Sequence, residues 1–422
     1  MKVLKTIFKG SISITAVVLG IKLQHDRHST NHILTAKETP KYTLEHVQLV
    51  FRHGARTPVC TYDLPGVEPA VWDPEKFLGD LPHTNVDYTL KLVSTGEEVS
   101  LESIDPSSWS KRRLKGGMQT GKLTKNGQQM AFDVGQHLQK EYIQERKFIS
   151  SIYSPSEIRV RTSSFQRTVG TVKSMLAGLY GKDQIREPIE MWTVRSQEEY
   201  LYPNFYQCPN LNRHFKVAKK DFINFRPDIR EITIDINKKL GLVEKEQMID
   251  VFHLLDLMHT REAHGFKALP DNLTKEDRQK IERAASKLFS FIIQGDNDRN
   301  ILRLSVGALV EDLCQNIEEK VKNPKKVHKM EFVSAHDTTL QGLLMVTSQW
   351  KDEWPYYVSL FKIELYKDEA SEYYVRLEFN GQTIFLDQSQ HEEMVPIRTF
   401  LEKMEKFRVK DYKLECSKEE GK

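Results

Sequence analysis

The chain has 422 residues, 39% hydrophobic and 29% charged, and its 62 Lys and Arg against 59 Asp and Glu leave a formal charge of +3. That length exceeds the ~100–200 residues of a usual single domain, so one large core with an insertion, or two domains, is expected. Near-balanced charge excludes the broad basic face that nucleic acid requires, but a few cations gathered in one cleft can still attract a small anion.

The amino terminus, MKVLKTIFKGSISITAVVLGIKLQH, has no acidic residue before Asp26. Lys2, Lys5 and Lys9 fall on one helical face and Val3, Ile7 and Ile14 roughly on the other, the pattern of an amphipathic mitochondrial presequence. The same letters fit the basic and apolar regions of a secretory signal, and Lys in place of Arg keeps that alternative open. From Ile12 to Ile21 the apolar run is interrupted by Ser13 and Thr15 and falls short of the ~20 residues that span a bilayer, so an anchor is the least favoured reading. Residues 1–42 are therefore read as a targeting segment and polar linker.

Beyond them, strand-like and helix-like segments alternate, as in an α/β sheet protein. Val47–Phe51 reads as a buried strand. Thr124 is a good N-cap, and Met130, Val134, Leu138 and Tyr142 recur every four residues, which predicts a helix with one buried face. A short strand at Ile158–Val160 and a helix at Phe165–Tyr180 follow, so 43–190 forms the first part of an α/β body. Residues 191–300 are rich in charge and helical spacing, with hardly any strand signal, and read as a helical cap inserted over the sheet. Leu302–Val321 returns as a core helix with Leu309, Leu313, Ile317 and Val321 in step. Met330–Ser334 is the next strand, followed by His336, Asp337 and two threonines able to cap a helix. YVSLFKIELY and YYVRLEFNGQTIFL alternate with period two, and Asn380-Gly381 signals a tight turn, so an antiparallel edge is expected. Residues 301–422 thus complete the body and end in a polar tail.

Cys60, Cys208, Cys314 and Cys416 form no CxxC pair and no Cys/His cluster, so neither zinc nor a redox pair is indicated and isolated reduced thiols are expected. Cys60 has no base beside it in sequence and is given a packing role. His253 and His264 read as solvated or satisfied helix residues.

Ligands of open α/β sheets sit beyond the carboxyl ends of strands. Three segments end an expected strand with ionisable groups: Arg52-His53-Gly54-Ala55-Arg56, Arg161 in IRVRTSS, and His336-Asp337. Together they would place three guanidiniums, two imidazoles and one carboxyl around one point, an inventory that suits phosphate. Guanidiniums bind phosphate oxygens bidentately and offset the charge of a phosphoryl group in transfer without a metal. They also disfavour protonation of His53, keeping it neutral and nucleophilic. Attack by His53 would give a phosphohistidine. Asp337 is the acid available to the leaving alkoxide, its protonation helped by the dianion and opposed by the arginines, which implies an acidic or mildly acidic optimum. Gly54 is expected to let the backbone approach the ligand. Arg167, one helical step beyond Arg161, is an equally possible ligand. A fixed RHGxRxP pattern arises by chance in about one chain in 10,000 of this length, whereas the dipeptide HD is uninformative, since His25-Asp26 is a second copy.

FRHGARTP and SAHDTTL resemble the two signature segments of the histidine acid phosphatases, a branch of the phosphoglycerate-mutase-like superfamily. LKGGMQTGKLTKNGQQM, EEYLYPNFYQC and DEWPYYVSLFKIELY resemble the part of that family that acts on lysophosphatidic acid more than its secreted prostatic or lysosomal members. The likeness runs with gaps from about His46 to Tyr412. It implies a mostly parallel sheet flanked by helices with a helical cap. It also implies His53 as nucleophile, Asp337 as proton donor, and Arg52, Arg56, Arg161 and His336 as phosphate ligands. The implied ligand is a small or lipid phosphomonoester, with no cofactor, metal or nucleic acid, and the protein is expected to be a monomer. The secreted members have acidic residues after the third arginine, where this chain reads Thr162-Ser163-Ser164-Phe165-Gln166, so a supporting carboxylate is not expected there. Their disulfides are not expected either. Tyr202, Phe205 and Phe222 are candidates for an apolar wall in the cap.

Overall fold

A computed structural model describes residues 42–105, 112–244, 246–294, 299–386 and 392–417. The expected targeting segment and polar linker, apart from Tyr42, and the end of the polar tail lie outside them.

The run Thr43–Arg52 forms β1, near the middle of a nine-stranded sheet. The other strands are β2 (Tyr88–Leu92), β3 (Ile158–Thr162), β4 (Ile189–Thr193), β5 (Met330–Ala335), β6 (Leu360–Lys367), β7 (Tyr373–Phe379), β8 (Gln382–Ile384) and β9 (Val395–Pro396). Their order is β2-β4-β3-β5-β1-β6-β7-β8, with β9 beside β7. The five from β2 to β1 are parallel, and β6, β7 and β8 add the antiparallel edge expected from their alternation. Asn380 and Gly381, with φ of 48° and 81°, make the tight turn between β7 and β8, as two left-handed residues in a type I′ hairpin should.

β1 reads as a continuous run because parallel strands are covered on both faces. Val47, Leu49, Val50 and Phe51 are fully buried, and so is Gln48, whose amide donates to the Leu313 carbonyl and to Glu331. β2 and β4 were not expected from the sequence. Each is five residues long, and charged or polar residues alternate through them, so they lack the apolar run that marked the central strands.

Two long helices pack on the body, α1 (Lys125–Leu138) and α2 (Gln166–Tyr180). Thr124 caps α1 by accepting from the Gly127 amide, as its side chain predicts. The buried line differs from the expected one. Leu138 and Tyr142 are buried, but Met130 and Val134 are only half-buried, and Gly127, Ala131 and Gly135 take the centre of the contact. Glycine is needed there because the helices touch through their backbones: a Cβ on Gly135 would lie 2.0 Å from the Met175 carbonyl oxygen, and one on Gly178 2.1 Å from that of Phe132.

Between β4 and β5 no described residue is in a strand. The segment is helical, with α3 (Pro209–Phe225), α4 (Pro227–Lys239), α5 (Val251–Ala263), α6 (Lys275–Gln294) and α7 (Arg299–Lys322); α8 (Asp337–Val346) follows β5. A short helix, α9 (Tyr412–Ser417), closes the described chain.

The cysteines correct the expectation of four isolated thiols. Cys208 and Cys416 form a disulfide across 208 residues of sequence, their Cα atoms 4.8 Å apart; the pairing is made by the fold and leaves no spacing signature. Cys60 and Cys314 are free and buried, and burial raises both thiols to about 12. Cys60 packs in the apolar core, as expected.

Gly135→Ala should cost about 1–3 kcal/mol through overpacking of the α1–α2 contact. Urea unfolding that left the midpoint unchanged would contradict the backbone contact described.

Candidate active site

The site is assembled by strand register. Arg52 of β1 lies opposite Ala335 of β5, and Ser334 of β5 opposite Thr162 of β3. The residues that follow these strands therefore emerge at one edge of the sheet. The His53 amide donates to the Ala335 carbonyl, the Ser163 amide to that of Ser334, and Ser163 Oγ lies 2.9 Å from His336 Nε2. The His53 and His336 rings meet edge to face with centroids 5.6 Å apart.

His53 is held in one tautomer. Its Nδ1 is 2.9 Å from the Gly54 carbonyl oxygen, which can only accept, so Nδ1 carries the proton and Nε2 presents its lone pair. No described residue engages Nε2. Burial, followed by the charges of Arg167, Arg56 and Arg52, holds the ring well below its usual 6.5, so the imidazole is neutral at physiological pH. Gly54 serves a purpose other than the one expected. A Cβ there would meet the Gly127 carbonyl oxygen at 2.3 Å, so the glycine admits the start of α1 rather than a ligand.

The arginines divide differently from expectation. Arg52 donates to the Pro355 carbonyl, pairs with Asp337 at 2.8 Å and lies over the Tyr357 ring at 4.4 Å. Arg56 donates to the Thr57 carbonyl and pairs with Asp256 of α5 at 2.8 Å. Arg161, the expected third ligand, is committed elsewhere. It is 4% exposed and pairs at 2.8 Å with Glu199, itself fully buried. Glu199 also accepts the Tyr200 and Leu201 amides, so Arg161 braces the turn whose Leu201 carbonyl receives the Thr339 hydroxyl and whose Tyr202 ring meets His336 at 5.1 Å.

Arg167, the alternative, supplies the third cation instead. It is the leading charge on both His53 and His336. It stacks on Phe165 at 3.9 Å, yet it has no ion pair or hydrogen bond with any described residue, and its Nε is buried without a partner. Burial and the neighbouring Arg56 lower it to about 10. A guanidinium so placed lacks an anion. The absence of acidic residues between Arg161 and Arg167 is made good from elsewhere, because Asp256 and Glu199 lie far away in sequence. Asp256 carries no motif, and only the fold identifies it.

Asp337 opens α8. Burial pushes its carboxyl up, but Arg52 and Arg56, with help from His336 and the Trp354 indole N–H at 3.0 Å, outweigh burial and leave it at about 2. Without a ligand, then, the arginines prevail and Asp337 is ionised.

Arg52, Arg56, Asp256 and Asp337 line a cavity of about 260 Å³ together with Val59, Phe252, Leu255, Phe289 and Trp354. The apolar wall thus comes from α5, α6 and the loop before β6. Tyr202 instead packs on His336, Phe205 stacks against Phe215 at 4.4 Å, and the Phe222 side chain lies outside what is described. His253 is paired with Asp250, and His264 is bonded to Thr124 and to the Thr260 carbonyl, so both are satisfied, as expected. Among the described residues no cluster of three or more His, Cys, Asp or Glu could hold a metal ion.

Cationic side chains gathered about a neutral imidazole at the carboxyl edge of a parallel sheet define a phosphate-handling enzyme of the histidine phosphatase kind. The chain belongs to the histidine phosphatase superfamily (branch 2), which it matches over residues 43–380. It is 32% identical to lysophosphatidic acid phosphatase type 6 of Pongo abelii, over 80% of this chain and 77% of that protein. Human prostatic acid phosphatase is 24% identical over 88% of each chain. Among solved structures, the apo form of Hafnia alvei phytase superposes with a TM-score of 0.62 at 13% identity, covering 91% of this chain and all of that one, which shows the shared fold. Family and relatives together support acid phosphatase activity on phosphomonoesters.

Arg167→Ala should weaken binding of inorganic phosphate tenfold or more, about 1.5–3 kcal/mol for bonds to a charged group, with the melting temperature little changed. Arg161→Ala should instead lower the melting temperature, since it leaves Glu199 buried and unpaired at a cost of about 3–5 kcal/mol. Calorimetric titration and thermal unfolding of both variants check the division; the reverse pattern would restore Arg161 as the ligand.

Proposed function

We propose that the protein hydrolyses phosphate monoesters without a metal, through a phosphohistidine on His53, and that its substrate is lysophosphatidic acid. The observation that carries this reading is His53 itself, neutral, with Nε2 unengaged and with Arg167, an arginine that lacks a counter-ion, as the leading charge upon it.

Arg52, Arg56 and Arg167 hold the phosphate oxygens. Nε2 of His53 forms a bond to phosphorus while the bond from phosphorus to the ester oxygen breaks, and the proton stays on Nδ1, donated to the Gly54 carbonyl, as the ring becomes cationic. The departing alkoxide takes a proton from the Asp337 carboxyl. Because Asp337 is ionised in the free site, that proton arrives with the substrate: a monoester binding as its monoanion brings one proton, which moves to Asp337 once phosphate offsets the arginines. Water then attacks the phosphohistidine, Asp337 takes the water's proton, and phosphate leaves with His53 neutral again. The apolar wall of the cavity and the 32% identical relative support a lipid leaving group, monoacylglycerol. For its address we propose the mitochondrion outside the reducing matrix, with the secretory pathway as alternative, since the Cys208–Cys416 bond favours an oxidising compartment.

Rapid quenching with labelled substrate should trap an acid-labile, alkali-stable phosphoprotein. Turnover without one would count against the mechanism. Asp337→Asn should slow alkyl phosphates far more than aryl phosphates with good leaving groups, and equal slowing would remove Asp337 as the acid.

The pH profile follows from the same groups. His53 stays neutral well below 6.5, so activity persists on the acid side. On the alkaline side kcat/KM for alkyl esters should fall as pH rises through the second ionisation of the substrate, about 6, because the dianion brings no proton and Asp337 holds none. An alkyl ester cleaved equally fast at pH 8 and pH 5 would exclude this route for the proton.

A further inference from the structure

Three histidines lie along or just after α5. His253 and His264 have partners; His259 does not. It is 2% exposed and lines the same cavity as Arg52, Arg56 and Asp337. Its ring meets Tyr356 edge to face at 5.3 Å, but neither ring nitrogen has a hydrogen-bond partner among the described residues. Burial, then Arg52 and Arg278, push it down to about 3, so it is a neutral ring with one N–H donor and one lone pair. With no protein partner and a place on the cavity wall, that donor and that lone pair are available to a ligand.

The position narrows what that ligand offers. The arginines take the phosphate oxygens and Asp337 the ester oxygen, so His259 faces the part of the leaving group beyond the scissile bond. An alkyl chain cannot satisfy it. A second anionic group is opposed by Asp256, which lines the same cavity. A hydroxyl, being both donor and acceptor, matches either tautomer.

Resting on the phosphomonoesterase reading above, we infer that His259 hydrogen-bonds a hydroxyl on the carbon next to the ester carbon, so that the enzyme selects β-hydroxyalkyl phosphates, the monoesters of glycerol and related polyols. His259 thereby sets specificity, and the apolar wall serves whatever chain the polyol carries.

The test compares glycerol 3-phosphate with n-propyl phosphate, which differ only in their hydroxyls. The wild type should favour the former by about tenfold to a hundredfold in kcat/KM, the preference that meeting one otherwise unpaired polar group confers. His259→Phe should bring that ratio to within about threefold of one, and His259→Gln, which keeps a donor, should give an intermediate ratio. Because each ratio is internal to one protein, a general loss of folding cancels. The same ratio in wild type and His259→Phe would overturn the inference, as would a wild-type ratio near one. p-Nitrophenyl phosphate separates the two readings: a wild type that cleaves it but shows no hydroxyl preference fails only the His259 assignment, whereas a wild type that cleaves no monoester fails the phosphatase reading beneath it.

Discussion

Like charges held close together and away from water set the terms for everything else in this protein. Arg52, Arg56 and Arg167 bring three positive charges to the ends of β1 and β3, and Asp337 and Asp256 return two negative ones, while His53 and His336 are kept neutral. Three minus two leaves one unmatched positive charge in a largely buried site. Its presence is visible in Arg167, which burial and Arg56 weaken to about 10. Such a surplus persists only on a rigid support, and the parallel strands β3, β5 and β1, buried on both faces, provide one. An arriving phosphate relieves the repulsion, so the mutual repulsion of the arginines contributes to affinity for the anion.

Support for His336 comes from a second, electrically closed layer. Arg161 and Glu199 neutralise each other without access to solvent. The carboxylate gathers two backbone amides, and the turn so fixed presents the Leu201 carbonyl to Thr339 and the Tyr202 ring to His336. Two arginines six residues apart thus have opposite electrostatic roles. One is saturated and structural, and the other is open.

That division explains how far the sequence could be read. The central strands were legible because a buried parallel strand is an apolar run, and the antiparallel edge because its period is two. His53, Arg52, Arg56, His336 and Asp337 were legible because each lies within a few residues of such a strand end. Choosing between Arg161 and Arg167 was not possible from spacing, since what separates them is Glu199, thirty-eight residues beyond Arg161. Asp256, His259 and Trp354 enter the site from α5 and from the loop before β6, and a single acidic, imidazole or indole side chain there has no local signature. The same limit applies to Cys208 and Cys416, and to Gly135, whose value lies in the carbonyl of a helix that the sequence does not place beside it.

Trp354 links charged and apolar residues of the cavity lining. Its indole nitrogen donates to the carboxyl of Asp337, and its ring meets Phe252 and Phe289, each at 6.0 Å between centroids. An indole hydrogen-bonded to a group that gains and loses a proton emits light according to that group's charge, and here the same ring is also part of the apolar wall of the cavity. Trp354, one tryptophan of five, thus stands where its emission would respond to the charge on Asp337.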